Sequence, residues 1–230
     1  MNGEKTLGDI VRDQPRAAAL FERIDLDFCC GGRRTLAEAC AERGLDAQAV
    51  AAQLDAIPAG DAGAPPAGEH AVGQASVTEL CEHILTRHHG PSRPAMDRIT
   101  QLLGTIVRVH GPDHPELIDM QRLFATMRSE LEAHMRIEEA TLFPACRALD
   151  ADPDGTRDAF DESLLALLED DHATTGDALV GLRELSGGFD AEPALCATHR
   201  RTLTELRAFE VDLHQHVHEE NNVLFLRVLE

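Results

Sequence analysis

Two stretches of the chain carry the same device, a histidine followed four residues later by a glutamate: His134 to Glu138 and His216 to Glu220. On a helix that spacing puts both side chains on one face, about a turn apart, so an imidazole and a carboxylate can reach the same metal ion. The neighbours indicate which face this is. Met127, Leu131, His134, Glu138 and Leu142 recur at core spacing, and Phe209, Leu213, His216, Glu220 and Leu224 repeat the pattern. Each polar pair therefore stands in an apolar stripe, where an uncompensated charge is costly. His172 shares a face with Leu165, Leu168 and Leu179, and His89 follows Leu85 at helical spacing. Four imidazoles and two carboxylates exceed what one tetrahedral zinc needs. Two metal ions sharing Glu138 and Glu220 fit the count better. A ferritin-type centre would show Glu-x-x-His on two helices, and only Glu169 to His172 has that spacing. Nitrogen-rich ligation with bridging oxygens suits iron ahead of manganese. The expected cofactor is a pair of non-haem iron ions, carboxylate- and oxo-bridged.

These residues need rods to hold them. From Ser76 onward the pattern is helical throughout. A first segment opens on the capping box Ser76-Val77-Thr78-Glu79 and runs to about His110, with Gly90-Pro91 and Pro94 expected to kink or restart it. A second runs from near Asp113-His114-Pro115 to Arg147, and a third from about Arg157 to Leu185. A fourth starts at Glu192-Pro193 and continues to Glu230. In an antiparallel arrangement the four histidines fall at a common depth, roughly 20 Å from one end at ~1.5 Å per residue. The expected fold is all-α, with an up-and-down four-helix bundle over residues 76–230. Residues 1–57 read as a small helical domain, with helix starts at Thr6, Pro15, Thr35 (a capping box with Glu38) and Asp46. Its Asp27-Phe28-Cys29-Cys30-Gly31-Gly32 stretch is expected to be an exposed loop presenting both thiols. Residues 58–75, with Pro65-Pro66, read as a linker.

The chain has 230 residues, 43% hydrophobic, so a real core can form. It has no Trp and no Tyr, which argues against stacking platforms for single-stranded nucleic acid and against carbohydrate clefts. Its formal net charge is −20, which repels phosphate backbones, so no nucleic-acid partner is expected. No stretch approaches the roughly 18 uncharged apolar residues of a membrane span. Glu4, Lys5, Asp9 and Arg12 occupy the place of a signal peptide's apolar segment, so a cytoplasmic location is expected. The six cysteines form no C-x-x-C framework and read as reduced thiols.

The stretches His134-Met135-x-x-Glu138-Glu139-x-x-Leu142-Phe143-Pro144 and His216-x-x-x-Glu220-Asn221-Asn222-x-Leu224-Phe225 resemble the haemerythrin-like signatures of the iron–sulfur cluster repair di-iron family. The Asp27–Gly32 double-cysteine loop resembles that family's second hallmark. Together they cover nearly the whole chain. The resemblance implies a non-haem di-iron centre, a cytoplasmic homodimer, and repair of iron–sulfur proteins damaged by nitric oxide or peroxide. It maps ligands onto His89, His134, Glu138, His172, His216 and Glu220. The chain departs from the family at His88, where many relatives have tyrosine, at Ser92, where they have histidine, at Gly90-Pro91, and at Leu226, where proline is usual. If the helix bends there, His88 or His83 could stand in for His89.

The remaining titratable residues have plainer readings. His214 and His218 lie roughly 200° around the helix from His216 and are expected to be solvated. Glu139 and Glu219 are expected to be surface charges. His70, His110, His114 and His199 need no role. Adjacent thiols on a glycine loop favour function for Cys29 and Cys30, as redox sensors, in transient iron or cluster handling, or in client docking. The other cysteines read as packing. The leading expectation is cluster repair, by iron donation or nitric oxide removal. A haemerythrin-like oxygen- or nitric oxide-binding module without turnover is the first alternative. A di-iron nitric oxide reductase is the second, and the chain shows no flavin or nucleotide motif to feed it electrons.

Overall fold

The computed structural model describes residues 4–58, 75–152 and 161–229. Nearly all of the expected linker, His70, and the expected third-helix start at Arg157 lie outside the described residues. Within them the regular structure is helical, and the only paired extended backbone is an isolated antiparallel bridge between Thr6 and Thr35.

The N-terminal segment is built by local caps. In α1 (Leu7–Asp13) the Thr6 hydroxyl accepts the Asp9 N–H, while α2 (Ala17–Ile24) stops where Asp25 turns left-handed at φ 58°. The start of α3 (Leu36–Glu42) is the reciprocal Thr35–Glu38 capping box, and Asp46 caps α4 (Ala47–Asp55). Leu7, Ile10, Phe21, Leu36 and Leu54 pack together beneath these helices.

The bundle consists of four rods, three of them interrupted by a five-residue π-helical turn. The first is α5 (Val77–Ile84), the turn Leu85–His89, then α6 (Gly90–His110). The second is α7 (Pro115–Ile137), the turn Glu138–Leu142, then α8 (Phe143–Ala151). The third is α9 (Glu162–Leu185), and the fourth is α10 (Ala197–Glu219), the turn Glu220–Leu224, then α11 (Phe225–Leu229). Rod α7 packs on α9, and α6 packs on both α7 and α10. The fourth rod starts later than the expected Glu192-Pro193. Cys196 is fully extended (φ −161°, ψ 175°), and its sulfur accepts the His199 N–H, which sets the first helical residue at Ala197.

At Gly90-Pro91 the first rod neither restarts nor breaks. It widens into the π turn just ahead, so that Pro91, which has no N–H to give, falls in the opening turn of α6. Pro144 follows the second π turn in the same way. The third π turn has no proline after it, so proline is not what makes these turns.

Two apolar clusters fill the bundle, one on each side of a polar layer. Going along the rods, Ile84 and Met96 flank His89 from opposite clusters, Leu131 and Leu142 flank the His134–Glu138 pair, Leu168 and Leu179 flank His172, and Leu213 and Leu224 flank the His216–Glu220 pair. The order reverses from each rod to the next, as antiparallel packing requires, and the six polar residues share one level.

Candidate metal centre

The six side chains singled out by spacing meet in this layer, and all six are buried. They form two overlapping sets, His89–Glu138–His216–Glu220 and His134–Glu138–His172–Glu220; within each, the candidate donor atoms lie within 4.8 Å of one another. The two carboxylates belong to both sets. His89 Nε2 lies 3.4 Å from Glu138 and 3.7 Å from Glu220, and His134 Nε2 lies 3.1 Å from Glu138. His172 Nε2 is 3.0 Å from Glu220, and His216 Nε2 is 2.9 Å from it. Several of these buried atoms lack a hydrogen-bond partner: His89 Nε2, both Glu138 oxygens and Glu220 Oε2. Two inward carboxylates among four imidazoles, with acceptors and ring nitrogens left over, is a donor set that cations would complete and that a satisfied core would not leave. The residues fit a two-metal site.

Second partners hold the outer ring nitrogens and so aim Nε2 inward. Glu139 accepts from His89 Nδ1 at 2.9 Å and is itself gripped by Arg93 at 2.7 Å. Asp171 lies 3.3 Å from His134 Nδ1, and Asn221 Oδ1 lies 2.8 Å from His172 Nδ1. Such outer contacts fix tautomer and orientation in metal-binding histidines. His216 is braced differently: its Nδ1 has no partner, and its ring lies flat on His88, with centroids 5.1 Å apart and planes 5° apart.

The electrostatics follow from two anions in an apolar layer. Burial disfavours a charged His89, but Glu138 and Glu220 outweigh it and raise its pKa to about 10. His134 is likewise held up at about 9 against its burial, chiefly by Glu138. For His216 burial wins over the pull of Glu220, and its pKa is lowered. Burial would raise Glu220, yet His216, His172 and His89 hold it well below the usual carboxylate range.

Several sequence expectations are corrected here. His88 and His83 do not replace His89: the π turn sends His89 inward and leaves His88 facing Asp212 and Glu219 on α10. Glu139 is no idle surface charge, since it braces His89. Glu219 is buried and receives His83, His88 and Gln215, whose hydrogen bonds outweigh its burial and lower its pKa. His218 is buried too, with its ring against Phe28 at a centroid distance of 5.7 Å, and burial lowers its pKa to about 4. The N-terminal segment covers the helix face that spacing alone assigned to water.

The cysteine loop also differs from expectation. Cys29 is buried, and only Cys30 is exposed. Asp27 Oδ1 accepts from both cysteine N–H groups and lies 3.3 Å from the Cys29 sulfur. The Cys30 thiol, 3.9 Å away, together with burial and Asp27, raises the Cys29 pKa well above the ordinary thiol value. The loop is laid against the histidine–carboxylate layer itself. Cys30 Sγ lies 3.6 Å from the His172 carbonyl, and the Asn222 amide donates to the carbonyls of Phe28 and Cys29 at 3.3 and 2.9 Å. The run Glu220-Asn221-Asn222 thus does three jobs: a shared carboxylate, a brace for His172 and a clamp on the cysteine loop. Spacing identified the first. The asparagines' partners sit on other elements, so no periodicity could reveal them.

Residues 82–228 match the model of the haemerythrin HHE cation-binding domain, and residues 3–58 match a domain of unknown function named ScdA_N. The chain is 31% identical over 225 residues to the iron–sulfur cluster repair protein ScdA of Staphylococcus haemolyticus, covering 98% of each. It is 30% identical to the iron–sulfur cluster repair protein YtfE of Dickeya chrysanthemi over 226 residues, and 30% to that of Citrobacter koseri over 228; each match covers 98% of this chain and 97% of the relative.

Proposed function

Because the chain belongs to the family of the bacterial iron–sulfur cluster repair proteins ScdA and YtfE, we propose that it restores damaged iron–sulfur clusters on other proteins with iron held in its bundle. His89 and His216 would hold one ion, His134 and His172 the other, and Glu138 and Glu220 would serve both. One observation carries this reading: two buried donor sets share the same two carboxylates, with ring and carboxylate atoms left unpartnered between them. A pair of iron ions would supply exchangeable metal, one-electron chemistry and affinity for nitric oxide or oxygen.

The chain's own residues do the rest. The apolar clusters on either side keep bulk water from the layer, which strengthens every charge interaction inside it. Glu139, Asp171 and Asn221 hold three imidazoles in a fixed tautomer, so little reorganisation is needed when the layer is loaded or emptied. His89 and His134 would each give up a ring proton to solvent on taking a cation and regain it when the cation leaves, so loading would release protons. Asn222 keeps Cys30 exposed beside the His172 backbone, where a thiol can meet a client. This contact favours repair over a gas-binding module without turnover, which has no use for the loop.

The test is reactivation of a nitrosylated iron–sulfur dehydratase by the purified, iron-loaded protein. Recovery of client activity is expected with the native protein, and a much slower recovery with Cys30→Ala. No recovery with the native protein, alongside reversible spectral changes on adding nitric oxide, would replace repair with gas binding.

A further inference from the structure

Outside the central layer, a second convergence of metal-binding side chains involves none of the six residues above. His83 Nε2 lies 3.1 Å from Glu219 Oε2, and His88 Nε2 lies 3.2 Å from the same oxygen. One donor atom from each of the three residues falls within 4.8 Å of the others. Two of the outer atoms are secured as in the central layer. Asp212 lies 3.3 Å from His88 Nδ1, and Gln215 donates to the second Glu219 oxygen at 2.8 Å. Two ring nitrogens aimed at a single carboxylate oxygen, with His88 Nδ1 and the second Glu219 oxygen braced from behind, form a two-histidine, one-carboxylate set. Such a set leaves open positions and suits ferrous iron.

Its location is equally specific. Glu219 and Glu220 are consecutive, as are His88 and His89, and in each pair the second residue faces the inner layer. The His88 ring is stacked on His216 of that layer. On the other side His83 keeps 23% of its side-chain surface exposed, against 6% for His88 and 7% for Glu219. The cluster therefore lies between solvent and the central layer.

We infer that His83, His88 and Glu219 form a third, mononuclear site for a ferrous-type divalent cation, and that this site is the port by which iron enters and leaves the central layer. The site stands on its own geometry, whereas its role as a port rests on the iron-bearing function proposed above.

The experiment is anaerobic titration of the metal-free full chain with ferrous iron, with bound metal counted after equilibrium dialysis. The native protein should bind about three ions per chain and His83→Gln about two, given three separate donor sets. Asp212→Asn removes only an outer brace, and should weaken the third ion about 10- to 100-fold. Two ions in the native protein, or a third ion unchanged in both variants, overturns the site. A third ion bound without the central two counts against the two-metal layer and leaves this site standing. Chelator withdrawal of the central iron should slow about tenfold in His83→Gln, on the scale of a lost metal contact; equal rates in the two proteins overturn the port.

Discussion

At the residue scale, three of the four imidazoles of the central layer divide their two nitrogens between tasks. Nε2 faces the shared carboxylates, and in His89, His134 and His172 the Nδ1 atom is held from outside. Asn221 isolates this second task, because its side chain touches His172 while its neighbour Glu220 belongs to the layer. Asn221→Leu should keep the helix content seen by circular dichroism and weaken metal binding about 10- to 100-fold; unchanged affinity in a competition titration would remove Asn221 from the account. The six inward residues were legible in the sequence because one helical period decides which face a side chain takes. Glu139, Asp171 and Asn221 were not, since their roles depend on contacts between rods. Glu219 and His218 were misjudged for the same reason: periodicity describes a helix's own faces and is blind to what lies on them.

At the element scale, three of the four rods pass the layer through a π turn that contains or begins at one of its residues: His89, Glu138 and Glu220. A π turn shifts the helical register locally, so consecutive residues can serve different sites. The rods themselves were readable from caps and apolar stripes, because Ser76–Glu79 and Thr35–Glu38 are local devices. The π turns were not readable, and the start of the fourth rod depends on the extended backbone of Cys196. The cysteine loop's seat relies on two glycines. A methyl group on Gly32 would lie 2.3 Å from the Asn222 side chain and 2.6 Å from the Phe28 carbonyl, and one on Gly8 would lie 2.6 Å from Asn222. Gly32→Ala should therefore lift the loop and destabilise the chain by roughly 1–3 kcal/mol, as overpacking does. Urea unfolding checks this, and a midpoint equal to native would show that the loop is not seated as described.

At the scale of the whole molecule, the N-terminal segment and the bundle meet across polar contacts, half-buried at His214 and exposed at Arg33. His214 lies 2.5 Å from Glu22, and Arg33 pairs with Glu169. His218 sits buried against Phe28 with a pKa lowered to about 4 from 6.5. A histidine depressed on folding is protonated first in the unfolded chain, so stability falls as pH drops from about 6.5 towards 4. Thermal midpoints measured at steps across that window should decline, and less steeply in His218→Gln; the same slope in both proteins would contradict the buried neutral ring. No described helix is long and apolar enough to cross a membrane. Under the function proposed above, the buried layer would hold a pair of iron ions with Glu138 and Glu220 as shared ligands. Metal analysis of protein purified without oxygen or chelator tests it most directly. About two iron ions per chain, falling to well below one in Glu138→Ala, is the predicted result for a shared carboxylate. A single zinc per chain, or an iron content indifferent to Glu138, would contradict it.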